Sequence, residues 1–305
     1  MPRSADRYGL LHKRLVLFTR VLPGVEESDV RAVHRMRVAS RRLREVLPVL
    51  QLDAEVTQKL SRRLRKITER LGTVRELDVL PGLIDELGQT DRYRGPALAR
   101  VAAAVTEQRN RARDRVLAKS HVRELRRVGA KLDKLARALQ AQNAVPQRGT
   151  QRRSWIWAID ARVARRASTL AAAIADAGAI YLPERLHVVR IAVKTLRYAL
   201  ELSAEVAQLK TTPDLKQLRR AQDILGRLHD LQVLMERTRE AQASLTPPDV
   251  TTWRQFDAVV AALEDDCRRL HGRFMNDRDA LSALCTRLSG HTKEVKSQKA
   301  EVRRI

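Results

Sequence analysis

His34, Arg37, Arg41 and Arg44 follow one another at spacings of three, four and three residues in HRMRVASRRLR. At roughly 100° per residue these positions fall within an arc of about 80° on a helix, so they form one cationic stripe, with Arg42 beside it. The pattern recurs 153 positions later in HVVRIAVKTLRY. There His187, Arg190, Lys194 and Arg197 hold the matching places and Tyr198 follows. A second pair of segments repeats at an offset of 154. LRRLRKITERLG carries Arg62, Arg65 and Lys66, and LKQLRRAQDILG carries Lys216, Arg219 and Arg220. Past each terminal glycine, GTVREL from Gly72 answers GRLHDL from Gly226, which pairs Arg75 with His229. The planar fork of arginine suits bidentate contact with phosphoryl oxygens. The chemistry on offer is retention of a polyanion.

Like charges three or four positions apart destabilise an isolated helix by a few tenths of a kcal/mol per pair. Residues 31–66 nevertheless hold eleven Lys and Arg against Glu45, Asp53 and Glu55. A face meant only to solubilise would mix the signs. His34 and His187 read as packed groups that orient a neighbour, or as donors to phosphate that charge more fully beside an anion. Neither sits in a metal-ligand spacing. His12, His121, His271 and His291 match no pattern and read as surface residues. Hydrolysis needs a carboxylate cluster for metal or an activated nucleophile. Neither Asp265 with Asp266 nor Glu76 with Asp78 shares a helix face, and no glycine-rich phosphate loop occurs. No catalytic residue, metal or cofactor is expected, and the protein reads as a binder rather than an enzyme.

The elements that must carry these stripes follow from composition. The chain has 305 residues, 60 Lys and Arg against 36 Asp and Glu, a net charge of +24, and only 3% aromatics. Residues 1–150 carry 33 basic and 17 acidic side chains, and 151–305 carry 27 and 19, so no single tail supplies the excess. Abundant Ala, Leu, Arg and Glu with sparse Gly and Pro predict an all-α fold. Apolar spacing predicts a first helix stopped by Pro23-Gly24 and a second from about Ser28, its N-cap beside Asp29, to about Leu50, kinked or ended near Pro48. A third covers about 53–71 and is broken at Gly72. A fourth covers about 74–87, bent at Pro81-Gly82. Two longer helices reach about 140. Residues 141–152 read as a linker. The order then restarts: 154–177, 183–206, 214–225 broken at Gly226, a helix to about 244, a loop at 246–249 with Asp249 as cap, and helices over 250–274 and 277–289. The repeats divide the chain into 1–145, 153–290 and a basic flexible tail, 291–305. Cys267 and Cys285 read as buried thiols in a reducing compartment. The tryptophans and Phe18, Phe256 and Phe274 read as core, although Trp155 and Trp157 cannot both face inward. No apolar run is long enough to span a membrane. The first twenty residues lack the core of a secretory signal. Cytoplasm is the default location.

The two copies of the histidine-arginine helix, with LGTVRELD and LGRLHDLQ downstream, resemble the CHAD domain, the conserved histidine α-helical domain, over about residues 5–290. Thr195 stands where that family carries a second basic residue, and Glu76 where it more often has Asp. The resemblance implies two four-helix-bundle-like halves related by a pseudo-twofold axis, with the basic helices lining a central pore or groove that binds inorganic polyphosphate. It also implies recruitment to polyphosphate granules. Some members carry a triphosphatase-type CYTH domain, whose E-x-E-x-K strands have no counterpart here. The polyphosphate-binding set implied for this chain is His34, Arg37, Arg41, Arg42, Arg44, Arg62, Arg65, Lys66 and Arg75, then His187, Arg190, Lys194, Arg197, Tyr198, Lys216, Arg219, Arg220 and His229. Two alternatives remain at this point. One is a nucleic-acid binder, since phosphate contacts carry no base information. The other is a granule-associated scaffold.

Overall fold

The computed structural model describes residues 6–27, 29–93, 95–117, 119–143, 149–209, 212–246 and 249–302. Among them there are helices, turns and bends but no strand, as an all-α fold requires. The helices are α1 (Arg7–Arg20), α2 (Leu22–Glu26), α3 (Val30–Val46), α4 (Ala54–Gly88), α5 (Pro96–Leu117), α6 (Lys119–Asn143), α7 (Gly149–Ala177), α8 (Pro183–Val206), α9 (Pro213–Ala243) and α10 (Val250–Val302).

The cap of α3 is Asp29, whose carboxylate accepts from the Arg31 and Ala32 amides. Ser28, the expected cap, lies outside the described residues. α3 ends as expected, where Pro48 sits in a short 3-10 turn, Leu47–Val49. Asp249 caps α10 through the amides of Thr251 and Thr252.

The expected breaks at Gly72, at Gly226 and between 274 and 277 do not occur. α4, α9 and α10 each run through. Apolar spacing explains why. α4 buries Leu64, Ile67, Leu71, Val74, Leu77, Leu80 and Leu83 in unbroken helical register across Gly72 and Pro81. α9 buries Leu218, Ala221, Ile224, Leu225, Leu228 and Leu231 across Gly226. An interior glycine costs about 1 kcal/mol, whereas each fully buried leucine contributes about 1.5–3 kcal/mol. Packing therefore outweighs local propensity. The stretch read as a linker is narrower than 141–152, because α6 reaches Asn143 and α7 starts at Gly149. Residues 144–148 lie outside the described residues. The stretch read as a flexible tail has helical backbone through Val302.

Two apolar cores hold the helices. One is built from α1 to α6 and takes in the start of α7, the second half of α9 and the first half of α10, including Trp155, Leu234, Phe256 and Leu263. The other joins α7, α8, the first half of α9 and the second half of α10, with Phe274, Leu281 and Cys285. The cores thus do not part at the midpoint of the sequence. α9 and α10 are long enough to serve both, and they pack on α5 as well as on each other. Cys267 and Cys285 are buried, and burial pushes the Cys285 thiol up to about 11. Phe18, Phe256 and Phe274 are buried as expected. Trp157 and Trp253, read as core, are 40% and 50% exposed instead. On a helix two residues apart, Trp157 must turn away when Trp155 turns in.

A polar clamp closes the first core. Asp78, its side chain 1% exposed, accepts from Arg109 Nε and an Arg113 Nη at 2.8 Å each. Replacing it by Ala strands two guanidinium groups that are about three-quarters buried. Removing one partner of a fully buried pair costs about 3–5 kcal/mol, so residual exposure puts Asp78→Ala near ~2–3 kcal/mol. Urea unfolding measures this, and an unchanged midpoint would refute it.

Candidate functional site

α3 and α8, the two helices bearing the histidine-arginine pattern, pack against each other across the molecule, and α4 packs on α9 beside them. Between them lies a cleft of about 600 Å³. α3 contributes Arg37, Arg41, Arg44 and Glu45, and α4 contributes Arg65, Thr68, Glu69, Gly72 and Glu76. α8 contributes His187, Arg190, Ile191, Lys194, Thr195 and Tyr198. Each stripe supplies cations because its apolar side is spent elsewhere. Val33, Met36, Ala39 and Leu43 turn α3 into one core, and Leu186, Val189, Val193 and Leu196 turn α8 into the other. Gly72 sits against Arg37, with a Cβ there placed 3.9 Å from the guanidinium.

The cations of this cleft differ from the others in the molecule. Elsewhere arginines find acids. Arg92 reaches Asp265 and Asp266, Arg126 reaches Glu26, and Arg162 reaches Glu45. In the cleft, Arg37, Arg41, Arg44, Arg190 and Lys194 make no ion pair or side-chain hydrogen bond with any described residue. Arg37 Nε and Arg190 Nε are buried without a partner. Arg65 is the exception, held by Glu69 at 2.7 Å.

Crowding of unpaired cations shows in their acidity. Burial, reinforced by Arg190, Arg41 and Arg37, pushes the Lys194 ammonium down to about 6. Burial and Arg41 push Arg37 down to about 10. Arg44 and Arg190 are lowered by burial as well. His34 is lowered by burial and then by Arg75, Arg37 and Arg41. His187 is lowered by burial and then by His229 and Arg190. Its ring lies 5.2 Å from that of His229. Two acids were not anticipated in the sequence reading. Glu76 is lowered by His229, whose Nε2 stands 3.9 Å away, and by Arg37 and Arg190. Asp230 is raised by burial, against the pull of Arg190, His229, Lys194 and Arg75. These two carboxylates occupy matching positions in the repeated segments past Gly72 and Gly226, within α4 and α9, a signal that was available in the sequence.

The remaining expected residues are dispersed. Arg62 and Lys66 are exposed on α4 away from the cleft lining, and Arg62 donates to Gln58. Lys216 is exposed on α9, and Arg220 pairs with Asp277 at 2.9 Å. Arg197 donates to Gln222 at 2.8 Å, pairs with Glu201, and stacks on Tyr198 with 4.5 Å to the ring centroid. Arg42 and Arg219 face a second, smaller cavity of about 270 Å³ between α1, α3, α8 and α9. Its walls include Glu45 and Tyr198, which also line the larger cleft. His121 and His271, read as surface residues, are half-buried, and His12 is exposed beside Tyr8.

Among the described residues, no three or more His, Cys, Asp or Glu side chains stand together as a metal site. No helix searched among them is long and apolar enough to cross a membrane.

Fold and site define an all-helical protein in which two basic helices, one from each half of the sequence, meet across a cationic cleft. A family model for the CHAD domain matches residues 10–239, and the chain belongs to that family. The crystal structure of the CHAD domain from the plant Ricinus communis is 22% identical, covers 90% of both chains and superposes with a TM-score of 0.59. PptA from Streptomyces chartreusis is 19% identical, with a TM-score of 0.57, covering 89% of this chain and 97% of its own. These likenesses show the fold. No curated protein matches.

Proposed function

We propose that the cleft between α3, α4 and α8 binds inorganic polyphosphate without turning it over. The observation that carries this reading is the set of unpaired, half-buried cations, Arg37, Arg41, Arg44, Arg190 and Lys194, facing one cavity. Removing charges from water without partners is unfavourable. A ligand rich in phosphoryl oxygens supplies the missing partners. Membership in a family associated with polyphosphate supports the choice of anion. Binding of this kind would recruit the protein to cytoplasmic polyphosphate granules. Loss of localisation of a tagged protein in cells that make no polyphosphate is the expected result.

The cleft favours polyphosphate over nucleic acid on one point of geometry. Single-strand binders stack bases on exposed aromatics. Here Tyr198 is the one aromatic ring among the cleft-lining residues besides the imidazole of His187, and the exposed Trp157 and Trp253 lie elsewhere. Long-chain polyphosphate, single-stranded RNA and duplex DNA, titrated at one near-physiological salt concentration, separate the two. Polyphosphate should bind most tightly by at least tenfold. Equal or tighter binding of either nucleic acid would overturn the assignment.

A further inference from the structure

The smaller cavity adjoins the larger cleft through two shared walls, Glu45 and Tyr198. It presents Arg42 and Arg219 to solvent, and besides Glu45, which pairs with Arg162, it holds two further acids, Glu201 and Glu205. The two acids are engaged differently. Glu205 is fixed in a scaffold role, with one oxygen on Lys13 at 2.9 Å and the other on Arg14 at 2.7 Å. Arg14 is buried on α1, so that contact ties α1 to α8. Glu201 instead uses a single oxygen, Oε1, for two guanidinium groups: Arg197 on its own helix and Arg219 on α9, 3.8 Å away. That oxygen thus satisfies two guanidinium groups on the side of Tyr198 away from the larger cleft, in the cavity that also holds Arg42.

We infer that the smaller cavity is a second subsite of the same anion site, and that Glu201 occupies it in the free protein as an internal anion that a long phosphate chain displaces. This inference rests on the polyphosphate reading above. It makes Glu201 a determinant of chain-length preference. A chain short enough to stay in the larger cleft never meets Glu201. A chain that continues past Tyr198 must compete with it for Arg197 and Arg219.

The test is Glu201→Gln, titrated with tripolyphosphate and with long-chain polyphosphate. Glutamine keeps an acceptor for Arg197 and removes the charge. The charge on Glu201 repels a phosphate brought beside it, so E201Q should bind the long chain roughly five- to twentyfold more tightly, which is about 1–2 kcal/mol. Its affinity for tripolyphosphate should stay unchanged. Adding Arg42→Gln and Arg219→Gln should erase the gain. A misfolded variant cannot produce tighter binding that depends on chain length. Equal improvement for both ligands would reduce the effect to net charge and overturn the subsite. No improvement for the long chain, with wild-type binding intact, would overturn the inference alone. Failure of the wild-type protein to bind polyphosphate at all would overturn the proposed function, and this inference with it.

Discussion

The combined variant Arg37→Gln, Arg41→Gln, Arg190→Gln and Lys194→Gln should bind long-chain polyphosphate about a thousandfold or more weakly and at the same time melt at a higher temperature. The first effect follows from counting contacts. A hydrogen bond to a charged group contributes about 1.5–3 kcal/mol, and about 1.4 kcal/mol is a factor of ten. Four lost contacts give at least that reduction even if each is only partly realised. The salt dependence should weaken as well. Each phosphate neutralised adds roughly 0.7–0.9 to the slope of log affinity against log salt for nucleic acids. By analogy the variant should lose about three. The gain in melting temperature is the more discriminating result. Arg37 and Arg190 leave buried guanidinium nitrogens without partners, and Lys194 sits among Arg190, Arg41 and Arg37. Side chains that held the fold together would destabilise it when removed. Cations kept for a ligand relieve repulsion when removed. A variant that binds within twofold of wild type, or one that melts lower, would refute the role given to these four residues.

The second large effect is on pH. In the free protein Lys194 is held near pH 6, against 10.5 for an unperturbed lysine. Between those values the unfolded chain binds a proton that the folded protein does not. Stability therefore rises with pH through that window and is lost as pH falls towards 6. His34 and His187, both lowered, act in the same direction below their ordinary range. A bound polyanion reverses the balance by favouring charged Lys194. Binding should then take up a proton, and affinity should fall as pH rises from 6 to 8, approaching tenfold per pH unit for the one proton. Long chains suit the measurement, since their internal phosphoryl groups stay ionised throughout. Thermal melting at pH 6, 7 and 8 should show a rising trend without polyphosphate and a flatter one with it. Lys194→Gln should melt higher than wild type at pH 6 and flatten both the melting and the binding profiles. The groups that face Lys194 are Arg37 and Arg41 on α3, Arg190 on α8 and Asp230 on α9. Of these, Asp230 is raised by burial against the pull of Arg190, His229 and Lys194. A binding profile independent of pH between 6 and 8 in wild type would contradict the proton uptake.

Much of this site is legible in the sequence. Spacing alone placed Arg37, Arg41 and Arg44 on one face and Arg190 and Lys194 on another, because helical periodicity is a property of the backbone. Val33, Met36 and Leu43 fall on a neighbouring face of the same helix by that periodicity, and they are buried. Sequence reasoning failed where local propensity met tertiary packing. Gly72 and Gly226 read as breaks, but leucines spaced across both keep α4 and α9 continuous. Trp157 and Trp253 were assigned to the core on amphipathic pattern, and both are half-exposed.

What the sequence determined by itself is that two helices each carry a cationic stripe, since that needs only the 3.6-residue repeat and the identity of the side chains. What the tertiary structure decided is which cations are free. Arg197, Arg219 and Arg220 belong to the same motifs as Arg37 and Arg190, yet Glu201 and Asp277 neutralise them. Arg37 and Arg190 line the cleft together with Glu76 near enough to feel both, yet neither forms an ion pair among the described residues, and the Nε of each is buried without a partner. Glu201 is four residues from Arg197 and could be anticipated, but Asp277 lies far along the chain and reaches Arg220 only because α9 and α10 pack together. Whether a charge is paired depends on distances of a few ångströms between helices, and helical periodicity carries no such information.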